Sequence, residues 1–298
     1  MASEQFDAMV GMLQATGLSS SSSLAEQRTS IDGLGQLLPM ADGTTVTDVD
    51  AGGVPAAWIA PMHVSDAASA VLWLHGGGYN VGGTESHRPL ASHLAAALGT
   101  PVLVPAYRLA PEHPYPAALD DADTVWRWLV DGGHEPSATA MGGDSAGGGL
   151  SLALAARLRS HDRPLPGALV LLCPWVDLTG DHPVPPSRVA ADVVLSPAML
   201  QTWAAGYAGN TPLNDPGVSP LFGDLRGLPP LRIEAGGRDS LLDDAIRLAQ
   251  RCTEAGVTTD LHVDDEMIHA WQVFAGAFPE AGASLDAVAA WLRSVLSN

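Results

Sequence analysis

Two glycine-rich stretches carry residues that could do chemistry. Gly143-Asp144-Ser145-Ala146-Gly147-Gly148 sets a serine among small residues, a G-x-S-x-G pattern, and His75-Gly76-Gly77-Gly78-Tyr79 lies upstream of it. A serine hydroxyl is a weak nucleophile until a base takes its proton and donors hold the oxyanion that its attack creates. Small neighbours let the chain turn sharply at Ser145 and leave the hydroxyl exposed. A glycine loop can turn several amides toward one oxygen. A G-x-S-x-G arises by chance in roughly one such chain in four, and a His followed by three glycines in on the order of one in a hundred. The pair, more than either alone, points to acyl transfer with Ser145 as nucleophile. The oxyanion donors would come from Gly76, Gly77, Gly78 and Ala146. A glycine-rich turn without a ligand is the plainer alternative.

These residues need a scaffold. The apolar run Val71-Leu72-Trp73-Leu74 ends at His75, Ala138-Thr139-Ala140-Met141 leads into Gly143, and an Ala/Leu-rich helix former follows from Gly148. Strand, tight turn and helix are the context the serine requires. From residue 71 onward strand and helix signals alternate, which predicts an α/β fold, a mostly parallel sheet with helices on both faces. The expected strands are Val71–His75, Val102–Ala106, Ala138–Gly142, Ala168–Cys173, Leu231–Ala235 and Thr259–Val263. The expected helices are Ala117–Val130, Gly148–Ser160, Ser240–Ala255 and Ala283–Leu296. Thr44–Asp50 and Pro55–Ala60, joined through Gly52-Gly53, predict an antiparallel hairpin at the sheet edge.

Two segments break the alternation. Residues 1–40 hold a helix with Phe6, Met9, Val10 and Leu13 on one face, then the run Ser19–Ser23, read as a turn. Residues 178–222 are proline-rich, with a helix around Pro197–Tyr207. Both exceed simple connections, so they are expected to form a cap on a core of residues 41–177 and 223–298. Met9, Met12, Leu13, Met199, Trp203 and Tyr207, with Tyr79, are candidates to line an apolar substrate pocket; packing between cap and core is the equal alternative.

A serine needs a histidine base, and the histidine needs an orienting carboxylate. On an open α/β sheet such groups gather past the carboxyl ends of strands, in the chain order nucleophile, acid, base. His161 ends a helix, His182 sits in the proline-rich insertion, and His262 lies within a strand. His269 lies just past the last strand and is the expected base. Asp239 follows the preceding strand and is the expected acid, with Asp243 as fallback because an acid in a first helical turn has its own reason to be there.

Composition narrows the partners. The 298 residues carry 14 arginines, no lysine and 33 acids, a net charge of −19. Such a surface repels nucleic acid and anionic membranes and favours a small neutral ester or lactone over an anionic substrate. No apolar run reaches membrane-spanning length, and the N-terminus lacks a secretory pattern. Cys173 and Cys252 are expected as buried thiols, one in a strand and one in a helix, suited to a reducing cytoplasm. No H-E-x-x-H or Cys/His cluster suggests a metal, and no cofactor is expected.

Together with Tyr107-Arg108-Leu109-Ala110-Pro111-Glu112-His113-Pro114-Tyr115-Pro116-Ala117, Pro174-Trp175-Val176-Asp177-Leu178 and Ile268-His269-Ala270-Trp271, these motifs resemble the hormone-sensitive-lipase-like branch of the α/β-hydrolases, the bacterial family IV esterases. The resemblance runs from residue 71 to the C-terminus. It implies cofactor-free hydrolysis of short- to medium-chain carboxylic esters under a cap built from the two irregular segments, with bulky lactones as an alternative substrate and a homodimer as a possible assembly. A small-molecule receptor without turnover is the reading from another class, and an intact Ser145, Asp239 and His269 argues against it. The Tyr107–Pro116 segment is expected to buttress the site through an Arg108–Glu112 pair. Three positions depart from the resemblance: Ala106 where an acid is common, Ser240 where proline is, and Ala270 where glycine is. None removes a reacting group.

Overall fold

The computed structural model describes residues 2–16, 22–66 and 68–296. Its elements in chain order are α1 (Glu4–Thr16), α2 (Leu24–Leu37), β1 (Thr44–Asp50), β2 (Pro55–Pro61), β3 (Val71–Leu74), α3 (Thr84–Leu98), β4 (Val102–Pro105), α4 (Ala117–Asp131), β5 (Ala140–Asp144), α5 (Ala146–Ser160), β6 (Ala168–Leu172), α6 (Pro186–Ala191), α7 (Pro197–Ala208), β7 (Leu231–Gly236), α8 (Leu242–Glu254), β8 (Thr259–Asp264) and α9 (Pro279–Leu296). The strands form one sheet ordered β1-β2-β4-β3-β5-β6-β7-β8. The β1–β2 hairpin joins it antiparallel, and all pairs from β4 through β8 are parallel.

The central strands are short continuous apolar runs because both their faces are covered. Successive side chains point to opposite faces, and the core divides accordingly. Val71, Trp73, Val102, Val104, Ala168, Val170 and Leu172 pack with residues of α3 and α9. Their alternates Leu72, Leu74, Leu103, Leu169 and Leu171 pack with α4, α5, α8 and α7. A third cluster closes one end of the sheet. There Phe6 of α1 meets Phe278 edge-on at 5.4 Å, beside Ile268, Trp271 and Phe274, with Met9, Val10 and Leu13 packed alongside.

The predicted strands and helices all form, with ends shifted by a few residues, and β5 runs on to Asp144. Helices α2, α3 and α6 are additions to the expected set. Within the serine run, Ser19–Ser21 lie outside the described residues. Ser23 is the N-cap of α2: its side chain accepts from the Glu26 amide while Glu26 reaches back to the Ser23 amide, which satisfies two amides that a helix start leaves unpaired. Cys252 is buried in α8 as expected, whereas Cys173 sits one residue beyond β6 with φ 45°.

Candidate active site

The turn at Ser145 is built by close backbone approach. Strand β5 ends at Asp144, α5 begins at Ala146, and Ser145 between them has φ 53° and ψ −121°. Its amide donates to Leu172 O at 2.8 Å, and its carbonyl accepts from Trp175 N at 2.9 Å and Gly149 N at 3.2 Å. A Cβ on Gly143 would strike the Leu74 carbonyl and Gly147, and one on Gly147 would strike the Leu74 and His75 carbonyls. Only glycine lets β3, β5 and α5 converge there. A non-glycine residue in this backbone region carries about 1–3 kcal/mol of strain, held here by packing and the pinned hydrogen bonds.

Asp239 and His269 meet past the carboxyl ends of β7 and β8. His269 Nδ1 donates to Asp239 Oδ2 at 2.9 Å, and Asp239 Oδ1 accepts from the Leu241 amide at 2.8 Å. Both residues are buried. With its Nδ1 proton committed to Asp239, the neutral imidazole presents Nε2 as a bare acceptor. Burial pushes the imidazole pKa down, but the Asp239 carboxylate beside it, with Asp192 and Asp144 adding, carries it above the ordinary value. Ala270 follows in the left-handed region, φ 47°. This explains why glycine is common at that position.

Cys173 Sγ lies close to the same pair; one donor atom each of Cys173, Asp239 and His269 fall within 4.8 Å of one another. The carboxylate and the imidazole are hydrogen-bonded to each other, and burial pushes the thiol pKa well up, so the trio does not present three free ligands.

In the glycine loop, Gly77 (φ 108°), Gly78 (φ 60°) and Tyr79 (φ 63°) take positive φ in succession. Gly77 O accepts from the amides of Asn80 and Val81, both at 3.0 Å, and Asn80 Nδ2 donates to Gly78 O at 2.6 Å and Trp203 O at 3.2 Å. Among the described residues, the Gly77 and Gly78 amides donate to no protein acceptor. Gly76 departs from expectation. Its amide lies 3.2 Å from His87 Nε2, inside the protein, and a Cβ there would strike the Asp144 carboxylate. Asp144 is held by Trp73 Nε1 at 3.1 Å and His87 Nε2 at 3.1 Å. His75 stacks on Tyr107 at 4.0 Å, and Tyr107 OH donates to His75 O at 2.6 Å. Burial lowers the His75 imidazole to about 3, so it is neutral and structural.

The candidate pocket residues divide. Tyr79 and Tyr207 stack at 3.6 Å, both fully buried, and so pack α7 against the glycine loop. Met199 is buried with Trp203 in the same cluster, and the Trp203 ring lies against Gly78. Met9 and Leu13 pack partly buried beside Ile268 and Trp271, the neighbours of His269. Met12 is exposed.

The expected Arg108–Glu112 pair does not form. Arg108 turns toward α4, where its guanidinium meets both oxygens of Asp121 at 2.7–3.0 Å. Glu112 pairs with Arg28 of α2, which also donates to Asn80 O and Ala110 O. The correction follows from α2, an element without a clear hydrophobic pattern, which brings a nearer cation to Glu112. The Pro174–Leu178 segment is anchored by Asp244 Oδ2, which accepts from Val176 N at 3.0 Å and Asp177 N at 2.9 Å. Asp243, the fallback acid, pairs with Arg188 at 2.7 Å and not with His269. Sequence reasoning missed Asp192, whose Oδ2 accepts from the Ser240 amide next to Asp239 at 2.8 Å.

Known proteins place this arrangement. The chain matches the alpha/beta hydrolase fold family over residues 71–273. An acetyl-hydrolase of Streptomyces hygroscopicus is 37% identical over 257 residues, covering 86% of this chain and 84% of that protein. An esterase of Acinetobacter venetianus is 34% identical over 232 residues, 78% of this chain and 77% of its own. The crystal structure of an esterase from the bacterial hormone-sensitive lipase family superposes with a TM-score of 0.95 at 38% identity, over 99% of both chains. That of EstE5 soaked with p-nitrophenyl butyrate superposes with a TM-score of 0.94 at 33% identity over the whole of both. A family match over residues 71–273, relatives at 34–37% identity and superpositions over nearly the whole chain agree, and the chain belongs to the hormone-sensitive-lipase-like branch of the α/β-hydrolase family, the bacterial family IV carboxylic ester hydrolases.

Proposed function

We propose that Ser145, His269 and Asp239 form the catalytic triad of a serine esterase acting on short- to medium-chain esters through an acyl-enzyme. The observation that carries this reading is the 2.9 Å contact between His269 Nδ1 and Asp239 Oδ2 at the same sheet edge as the strained Ser145. His269 Nε2 takes the Ser145 proton as Oγ bonds to the acyl carbon, and Asp239 stabilises the imidazolium. The Gly77, Gly78 and Ala146 amides hold the oxyanion, each worth roughly 3 kcal/mol of barrier; Gly76 supports the loop instead. The imidazolium then protonates the leaving alkoxide as the ester C–O bond breaks. Water, deprotonated by His269, adds to the acyl carbon, and Ser145 leaves with the proton.

Segments 1–40 and 178–222 act as the cap. Trp203 over Gly78 narrows the space beside the oxyanion donors, which favours short acyl chains. Ser145→Ala should abolish p-nitrophenyl ester turnover with an unchanged circular dichroism spectrum, and a phosphonate probe should label Ser145 alone. Retained turnover, or labelling elsewhere, would overturn the assignment. A panel from acetate to decanoate, with several lactones, sets the substrate range.

A further inference from the structure

We propose that Asp192, a residue of the cap segment, is a positioning residue that couples the cap to the catalytic acid loop, its carboxylate held one residue from Asp239. This rests on the triad reading above.

Asp192 uses its two oxygens on two different parts of the molecule. Oδ1 accepts from the amides of Val194 at 2.9 Å and Leu195 at 2.8 Å, shaping the turn between α6 and α7. Oδ2 accepts from the Ser240 amide at 2.8 Å, a residue separated from it by 48 positions in the chain and adjacent to Asp239. The Ser240 side chain takes no part, since its buried Oγ has no hydrogen-bond partner among the described residues. The backbone N–H alone makes the tie. On the cap side, the same turn leads into α7, which carries Met199 and Trp203.

A half-buried carboxylate here also acts at a distance. The titratable groups around His269 are Asp239 beyond β7, Cys173 beyond β6, Asp144 at the end of β5 and Asp192 from the cap. From α1 comes Phe6, with the Arg238 guanidinium 5.6 Å over its ring. Asp144 is occupied by His87 and Trp73, and Asp239 by His269 itself. Asp192 is the member of this set that reports the position of the cap. A cap displaced from the acid loop removes both the Ser240 tie and a negative charge that favours the imidazolium.

The experiment compares Asp192→Asn, Ser240→Pro and Ser240→Ala with the parent protein, measuring kcat, KM and the pH profile with p-nitrophenyl butyrate. Phosphonate titration gives the active fraction, and thermal melts report folding. Asp192→Asn removes the charge and one face of acceptors. Its acid-limb midpoint should fall by on the order of half a pH unit, and kcat should drop several-fold. Ser240→Pro removes the N–H and keeps the charge, so kcat should drop with the midpoint unmoved. Ser240→Ala restores the N–H and should recover what proline loses. A purely structural Asp192 would change the melts without moving the acid limb. An Asp192→Asn midpoint equal to the parent's, or Ser240→Pro turning over at the parent kcat, would overturn the proposal. Normal phosphonate titration in those variants would leave the triad standing, whereas activity in Ser145→Ala removes the triad reading itself.

Discussion

The indole of Trp203, carried on α7, lies so close to Gly78 that a Cβ on that glycine would strike its Cε3. Gly78 also has φ 60°, where a side chain costs roughly 1–2 kcal/mol. Gly78→Ala should therefore push the loop and the indole apart and misdirect the amide proposed to hold the oxyanion. We expect kcat to fall about 10²–10³-fold, the loss typical of one oxyanion donor. Trp203→Ala should instead extend the acyl-chain profile toward longer esters, because the wall over Gly78 is gone. The double variant should recover part of the Gly78→Ala loss, since two residues in contact do not contribute additively. Steady-state kinetics from p-nitrophenyl acetate to decanoate decide this. Strictly additive losses would show that the contact has no energetic meaning.

The His269 imidazole gives a pH dependence with opposite signs for activity and stability. Burial opposes its charge, but the carboxylates of Asp239, Asp192 and Asp144 raise it above the ordinary 6.5. In the proposed role of base it must be neutral, so kcat/KM should rise with pH through a midpoint above 6.5. A raised imidazole stabilises the fold fully below its unfolded value and loses that contribution as pH rises through the folded value. The difference in melting temperature between the parent and His269→Ala should therefore shrink from pH 6 to pH 9 while activity climbs. A difference that grows over that range would contradict the His269–Asp239 electrostatics.

The proposed reacting groups are legible from local sequence because each sits at a strand end marked by small residues: Gly143 and Gly147 around Ser145, Gly236-Gly237 before Asp239, and the loop past β8 for His269. What is not legible is set by tertiary contact. Helix α3 contains Pro89, which reads as a break, although Leu90, Leu94 and Leu98 repeat at helical spacing and bury against the sheet. Helix α2 contains Gly33 and Gly35, and Gly35 is there because a Cβ would strike the Ser86 backbone of α3. Such a glycine marks helix–helix approach, not a helix end. Arg28 on that unread helix is what takes Glu112 from Arg108. Asp192 and Asp144 act through partners 48 and 57 residues away, Ser240 and His87, and no spacing rule announces them.

Asp244 supplies a test of how the core holds the segment after β6. Its buried carboxyl is raised to about 7, chiefly by desolvation and also by the nearby Asp177 carboxylate, despite hydrogen bonds from the Val176 and Asp177 amides and the charge of Arg247. Asp177 is itself paired with Arg247 at 2.7 Å, so that cation is already engaged. A carboxyl raised in the folded state favours folding fully below its unfolded value near 3.8 and loses that contribution as pH rises toward and through about 7. Asp244→Asn keeps an oxygen for the two amides and never ionises. Its melting temperature relative to the parent should therefore improve between pH 5 and pH 9, by on the order of 1 kcal/mol or more, roughly 2 °C or more for a chain of this size. Because Val176 and Asp177 are anchored through the same oxygen, Asp244→Ala should destabilise at every pH, by about 1–3 kcal/mol for the amides left unpaired. An Asp244→Asn difference that stays flat with pH would show that the carboxyl ionises in place at no cost.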